Sequence, residues 1–232
     1  MVYNFNLGIG WASSGVEYAQ SYRAKMLRNI GVEAKFVYTD MFPRDNIQHM
    51  TENIGFLDSE IIWLYTFFTD TQIAPVSYTL KDLEASFATK EFTFSRDGKV
   101  SKYVFAGTGN FYTAYMVDES SDLVHRVELV ANGSLIRKDY FTYCRIYSEY
   151  YAPLDKKAHL YQRRYFNEDG SVAYEEIIDN GYSCCSTVIF VHGPQQCLYG
   201  YRWRADWFSL LGIQRTRSLW HDTSTARFTQ IG

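Results

Sequence analysis

Residues 91–141 read EFTFSRDGKVSKYVFAGTGNFYTAYMVDESSDLVHRVELVANGSLIRKDYF, and this stretch decides the fold. Short runs rich in aromatic and β-branched residues alternate with turn signals. Runs at 91–95, 100–106, 111–117 and 123–130 are separated by Asp97-Gly98, by 107–110, by 118–122 and by Asn132-Gly133. Three more runs follow at 135–147, 159–166 and 172–178, with a turn at 167–170. Strands about ten residues apart, joined by DG and NG turns, read as antiparallel hairpins, a β-meander. A meander does not arise from βαβ units, so the chain is not one doubly wound sheet.

Upstream the pattern differs. Residues 4–28 read NFNLGIGWASSGVEYAQSYRAKMLR. A strand-like run at 3–7 is followed by a glycine and serine loop at 8–15, then by a helix-like run at 16–29. Val16, Ala19, Met26, Leu27 and Ile30 are spaced as one apolar helix face. Arg23, Lys25 and Arg28 lie in the helix's C-terminal half, which suits its dipole. Gly31 reads as its stop, and 32–38 alternates as a half-buried strand before running on through Val37 and Tyr38. Residues 3–38 therefore read as β-loop-α-β, the opening of an α/β sheet. Between this unit and the meander, 39–45 is a turn, 46–54 is either a short helix or irregular, and the run EIIWLYTFF at 60–68 is apolar enough to be buried. Thr79 and Asp82 mark the start of a short helix over 80–87.

The chain has 232 residues, 47% of them hydrophobic and 18% aromatic, enough for a sizeable core. A net charge of −3 does not favour nucleic acid. No apolar run approaches the 18 or so residues of a membrane span, and the start lacks the features of a secretory signal. Cys144, Cys184, Cys185 and Cys197 have neither zinc-knuckle nor CxxC spacing and read as reduced thiols.

Small residues before a helix N-terminus let backbone N–H groups meet an anion. Ser13 and Ser14 can cap the helix or donate to a phosphate. Ser13 stands where a dinucleotide fingerprint needs glycine, and Gly15 is followed by Val16 and Glu17 rather than by the Lys-Ser/Thr of a P-loop. From residues alone, the loop is either a ligand loop or a plain tight connection. Glu17 reads as a helix-start carboxylate before it reads as a base. His49, His125, His159, His192 and His221 show no metal-ligand spacing, and His125 and His159 fall on strands as structural residues. Asp40, Arg44, Asp45 and His49 form a polar group that either rims a cleft or is a solvated loop. Alternation puts Arg137 and Asp139 on one strand face and Lys138 on the other. With Arg163 and Arg164 these residues either bind a partner or form a solvated sheet face, the simpler alternative. The 20 tyrosines suit both strands and binding surfaces.

The segments GIGWASSGVEYAQ (8–20), TDMFPRDNIQHMTENIGF (39–56), IIWLYTFFTDTQIAP (61–75), NGSLIRKDYFTYCRIYSEYYAP (132–153) and LYQRRYFNEDGSVAY (160–174) recur in one order in a known family. Over roughly residues 1–180 the chain resembles the glycosyltransferase family 4 subunits that place the first GlcNAc on serine-rich-repeat adhesins. The resemblance fades after Gly181.

This resemblance implies an α+β fold. Residues 1–40 would begin a Rossmann-like domain of a GT-B enzyme, and 41–180 would be an extended β-sheet module inserted into it. Residues 181–232 would be a return segment or an atypical tail, with 204–211 as one or two amphipathic turns. The residues matching Gly15, Val16, Glu17 and Tyr18 would line the UDP-GlcNAc site. The family's catalytic and phosphate-clamping groups belong to a second domain with no match here, so no residue is read as catalytic, no metal or other cofactor is expected, and the chain alone is expected to lack transferase activity. Expected partners are a homologous glycosyltransferase subunit and the serine-rich-repeat adhesin acceptor. The expected location is cytoplasmic, with at most peripheral association at the inner face of the membrane. The alternative function is a non-enzymatic module that binds the acceptor or the partner subunit. Apolar surface left uncovered, with EIIWLYTFF as the candidate, would favour self-association.

Overall fold

The computed structural model describes residues 1–10, 14–42, 45–178, 187–192 and 195–200, the last two segments as backbone. Strands β1 (Val2–Asn6), β2 (Ala34–Tyr38) and β3 (Ile61–Trp63) form a parallel sheet in that order. Val2 lies opposite Ala34, and Phe36 opposite Ile61. Helix α1 (Gly15–Asn29) connects β1 to β2, as the opening pattern predicts. Gly31, at φ +71°, ends it: its N–H donates to Arg28 while Val32 N–H donates to Leu27, the paired bonds of a Schellman cap.

Two expectations for this region need correcting. The parallel sheet reaches past residue 40, because the apolar run at 60–68 supplies β3 instead of an exposed patch; Ile61, Trp63 and Leu64 are buried. The helix also packs by a different face. Ser21 and Ala24 are its buried residues, whereas Val16, Met26 and Ile30 are 66–71% exposed. The small residues let the helix lie close to the sheet: the Ser21 hydroxyl donates to Ile54 O, and Arg28 forks onto Glu60 at 2.8 and 2.9 Å.

The meander is a ten-stranded antiparallel sheet in strict chain order. Its strands are β4 (Phe92–Asp97), β5 (Val100–Phe105), β6 (Phe111–Met116), β7 (Val124–Ala131), β8 (Ser134–Phe141), β9 (Arg145–Leu154), β10 (Lys157–Phe166), β11 (Val172–Ile177), β12 (Thr187–His192) and β13 (Gln195–Gly200). The run expected at 135–147 is two strands, parted at 142–144 where Thr142 N–H donates to Cys144 O. A second turn, at Asp155 and Lys156, has both residues at positive φ (49° and 60°), as a two-residue hairpin loop requires. The sheet also continues beyond residue 180 through β12 and β13. The turns expected at 204–211, with Cys184 and Cys185, lie outside the described residues.

The two faces of the sheet are covered at opposite ends. Helix α3 (Leu80–Ala85), capped by Thr79 and Asp82, lies over one face. Leu80, Leu83 and Phe87 pack there against Tyr103, Ala114, Met116 and Phe141. The parallel unit and α2 (Ile47–Glu52) cover the other face, over β8 to β11. There Tyr140, Tyr147, Tyr165 and Tyr174 occupy matched positions on four adjacent strands. Their ring centroids lie 4.2, 5.8 and 4.3 Å apart in sequence. The 63–68 segment sits on this ladder: Trp63 meets Tyr147 at 6.1 Å, Tyr65 meets Tyr165 at 5.9 Å, and Phe68 meets Tyr174 at 6.2 Å.

One row further along the same face, Glu128, Lys138, Glu149, Arg163 and Glu176 alternate in charge across β7 to β11. Arg163 holds Glu149 and Glu176, each at 3.1 Å. Tyr140 and Tyr151 hydroxyls donate to Glu149, and Tyr165 donates to Glu176. The expectation of a solvated face fails for this row, because the carboxylates of Glu149 and Glu176 are buried with their partners. Arg137 and Asp139 do share the opposite face, paired at 3.0 Å, while Lys138 turns to Glu128.

The Tyr147 hydroxyl is buried and has no hydrogen-bond partner among the described residues. Tyr147→Phe therefore removes a desolvated polar atom and leaves stability unchanged or raised by about 1 kcal/mol, whereas Tyr140→Phe, which strips a bond from Glu149, costs about 1.5–3 kcal/mol. Urea unfolding of the two variants checks the opposite signs.

His125 gives a pH prediction. Burial pushes its imidazole down to about 4, Arg126 and Lys99 add to this, and Asp45 opposes it. The unfolded chain takes up the proton near pH 6.5, so this stability is complete above that pH and is lost as pH falls towards 4. The loss amounts to about 3 kcal/mol. His125→Gln flattens that part of the stability–pH curve, which denaturation at several pH values would show.

Candidate functional site

The candidate site lies at the carboxyl ends of β1 and β2, beside the N-terminus of α1. In open α/β sheets ligands enter at this edge of the strands. The two strand ends are laced together: Thr39 N–H donates to Asn6 and Leu7 carbonyls, and Asp40 N–H donates to Leu7 O at 2.7 Å. Gly8 passes close to Asp40. A Cβ on Gly8 would lie 3.1 Å from the carboxylate, so a side chain here makes the Asp40 side chain shift by a few tenths of an ångström.

Ser14 is the N-cap of α1. Its hydroxyl accepts from Val16 N–H at 3.3 Å, and Glu17 completes a capping box. Glu17 reaches further than a capping residue needs to. One carboxylate oxygen accepts Ser14 N–H and the other accepts Gly10 N–H at 2.9 Å, so the side chain brackets both ends of the glycine loop. The Ser14 hydroxyl, followed by the Gly10 and Ser14 amides, holds the Glu17 carboxyl below the usual carboxylate range. Burial, with a contribution from the Glu17 charge, raises the Tyr38 phenol, keeping it a neutral hydroxyl. The helix-start role expected of Glu17 is thus what the geometry shows. The bridge to Gly10 was missed, because a contact across seven residues leaves no local sequence signal.

Gly15 opens α1, and nothing among the described residues lies within 4 Å of a Cβ placed on it. Its backbone is not left-handed, so the fold itself does not demand glycine at this position. Val16 and Tyr18 are exposed on the first turns. The other candidate residues do not gather here. Asp40 sits beside Gly8, Asp45 lines a small cavity with His125, and His49 is exposed on α2 with Asn53 at 3.2 Å. Arg44 and Ser13 lie outside the described residues. Cys144 is a free thiol, pushed up to about 11 by burial. Among the described residues no group of three or more His, Cys, Asp or Glu is placed to hold a metal ion, and no helix is long and apolar enough to cross a membrane.

If the cap is as described, Ser14→Ala costs about 1 kcal/mol. Urea unfolding followed by circular dichroism measures this, and an unchanged midpoint would remove Ser14 from the cap.

Comparison with known proteins adds a family. Residues 93–186 match the model of the GtfA extended beta-sheet domain. The chain is 56% identical over 179 residues to the UDP-N-acetylglucosamine--peptide N-acetylglucosaminyltransferase GtfA subunit of Streptococcus agalactiae, covering 77% of this chain and 35% of that protein. In a crystal structure of a GtfA/B complex, one chain matches with a TM-score of 0.81 and 50% identity, over 87% of this chain and 39% of that one. The pneumococcal O-GlcNAc transferase GtfA, solved with UDP and GlcNAc, matches with a TM-score of 0.77 and 49% identity, over 82% and 38% of the two chains. The chain thus spans about a third of the length of the curated relatives it matches. Over that shared length it is a homologue of the N-terminal portion of the GtfA subunits.

Proposed function

We propose that this chain is the N-terminal portion of a protein O-GlcNAc transferase, which moves GlcNAc from UDP-GlcNAc to serine or threonine hydroxyls of serine-rich-repeat adhesins. In this reading the parallel unit begins the Rossmann-like first domain of a GT-B enzyme, and the meander is a module grafted into it. Residues 1–40 open the first domain, and the sheet of the module runs on past residue 180 through β12 and β13. The observation that carries the reading is the N-terminus of α1 placed at the carboxyl edge of a parallel sheet. Its first turn offers backbone donors and about half a unit of positive charge to a diphosphate. Gly15, Val16, Glu17 and Tyr18 are the residues assigned to the donor. With Gly10 and Ser14 amides already taken by Glu17, the open approach beside Gly15 is the route for a phosphate oxygen. The site supplies donor binding, and the cations that stabilise a departing UDP lie elsewhere in the enzyme.

The meander is the part assigned to a homologous partner subunit and to the adhesin acceptor. The location that goes with this reading is the cytoplasm, with at most peripheral association at the inner face of the membrane. A non-enzymatic binding module is the second reading. It rests on the ten-stranded antiparallel sheet formed by the described residues.

Gly15→Ala separates the two readings. Alanine suits the helix start, and stability stays level or rises by about 0.4–1 kcal/mol. If Gly15 faces the diphosphate, the added Cβ weakens UDP binding about tenfold, as measured by isothermal titration calorimetry. Equal UDP affinity in both proteins would remove Gly15 from the site. A wild-type chain that captures the partner subunit but binds no UDP would favour the binding module.

A further inference from the structure

A cleft of about 720 Å³ runs between the 86–89 segment and the uncovered part of the α3 face of the meander. Its floor is apolar and crosses five neighbouring strands, from Phe105 on β5 through Tyr112, Leu129 and Phe141 to Arg145 on β9. Four strand spacings make it about 19 Å long, the span of about six extended residues. Such a shape suits a length of chain better than a compact ligand.

One end is charged. The Asp139 carboxylate is buried and accepts the Ser148 hydroxyl at 2.5 Å and Arg137 Nε at 3.0 Å, with Arg145 Nη1 at 4.0 Å. Two guanidinium groups thus share one carboxylate, leaving one positive charge in excess. Arg145 is stacked over Phe166 at 3.9 Å, which fixes its plane, and it donates no hydrogen bond among the described residues. Glu84 and Glu168, on neighbouring segments, accept the Tyr103 and Tyr143 hydroxyls and pair with neither guanidinium among the described residues. A second carboxylate between Arg137 and Arg145 would complete a neutral quartet with charge-assisted bonds to both.

We propose that this cleft binds an extended acidic peptide, its side-chain carboxylate held by Arg137 and Arg145 and its alternate apolar side chains lying along Leu129 and Tyr112. The inference shares with the preceding reading only the premise that the meander recognises protein, and it is independent of the donor site. Alternation along an extended chain sets the motif as an acidic residue followed by apolar residues at every second position.

The test is fluorescence anisotropy with the labelled hexapeptide Glu-Ser-Leu-Ser-Phe-Ser and the whole chain, in the absence of any sugar nucleotide. Saturable binding is expected, weakened about tenfold when Glu is replaced by Gln in the peptide or when Arg145 is changed to Gln. Ala131→Arg, on the middle strand β7 two residues beyond Leu129, fills the cleft from its floor and leaves Arg145 and Asp139 in place. If Arg145→Gln loses its sheet signal in circular dichroism, Ala131→Arg and the Gln peptide still decide the matter. No saturable binding, equal affinity for the two peptides, or full affinity in Ala131→Arg would each overturn the proposal. Competition by chitotriose in place of the peptide would overturn it in favour of a saccharide cleft. Failure of UDP to bind leaves this result untouched, because no donor is present.

Discussion

The stacking of Trp63, Tyr65 and Phe68 on the tyrosine ladder of β8 to β11 is the contact on which the rest depends. Without it the parallel sheet is three short strands with one helix, too small to bury a core. The ladder in turn depends on register. Tyr140, Tyr147, Tyr165 and Tyr174 align only because each hairpin keeps its pairing, and a one-residue slip would send a tyrosine to the opposite face. Cross-strand aromatic pairs each add a fraction of a kcal/mol, about 0.2–1, on top of the apolar area they bury.

The charged row beside the ladder reinforces that register more than it adds stability. A buried ion pair gives up much of its attraction to desolvation, yet leaving one member unpaired is costly. Glu149, Arg163 and Glu176 satisfy one another only when β9, β10 and β11 are aligned as found. A slipped hairpin therefore strands a charge as well as misplacing a ring. The ladder and the charged row specify the same alignment from adjacent positions on the strands.

Much of this was legible in the sequence, for reasons that differ from element to element. The hairpins at Asp97-Gly98 and Asn132-Gly133 announced themselves because a two-residue loop needs residues that tolerate positive φ. The turn at 142–144 did not, since Thr, Tyr and Cys carry no such signal and continue the aromatic run on either side. Asp155 and Lys156 adopt the same left-handed pair as Asn132 and Gly133 with residues that do not advertise it. A buried parallel strand shows only as an apolar run, so β3 was recognised as buried without being placed in a sheet. The face of α1 misled because the residues that pack, Ser21 and Ala24, are small, and the large apolar ones point outwards. At the candidate site, the Ser14 to Glu17 capping box was readable as a motif, whereas the reach of Glu17 to Gly10 emerges only once the loop is folded. The tyrosines divide where composition left them undecided: those of the ladder hold the molecule together, while Tyr18 and Tyr22 stand on its surface.

The strict chain order of the meander also sets the sequence of folding events. Each hairpin closes a loop of a few residues, so the sheet can grow by local steps whose entropic cost is small. Docking of the 63–68 segment onto Tyr147, Tyr165 and Tyr174 joins residues 84–109 positions apart. Closing a loop about 25 times longer costs about 3 kcal/mol more in chain entropy. The short-range contacts thus precede the long-range one, in keeping with the slower formation of distant pairings. The sheet acts as the template on which the α/β unit settles, although that unit comes first in the chain.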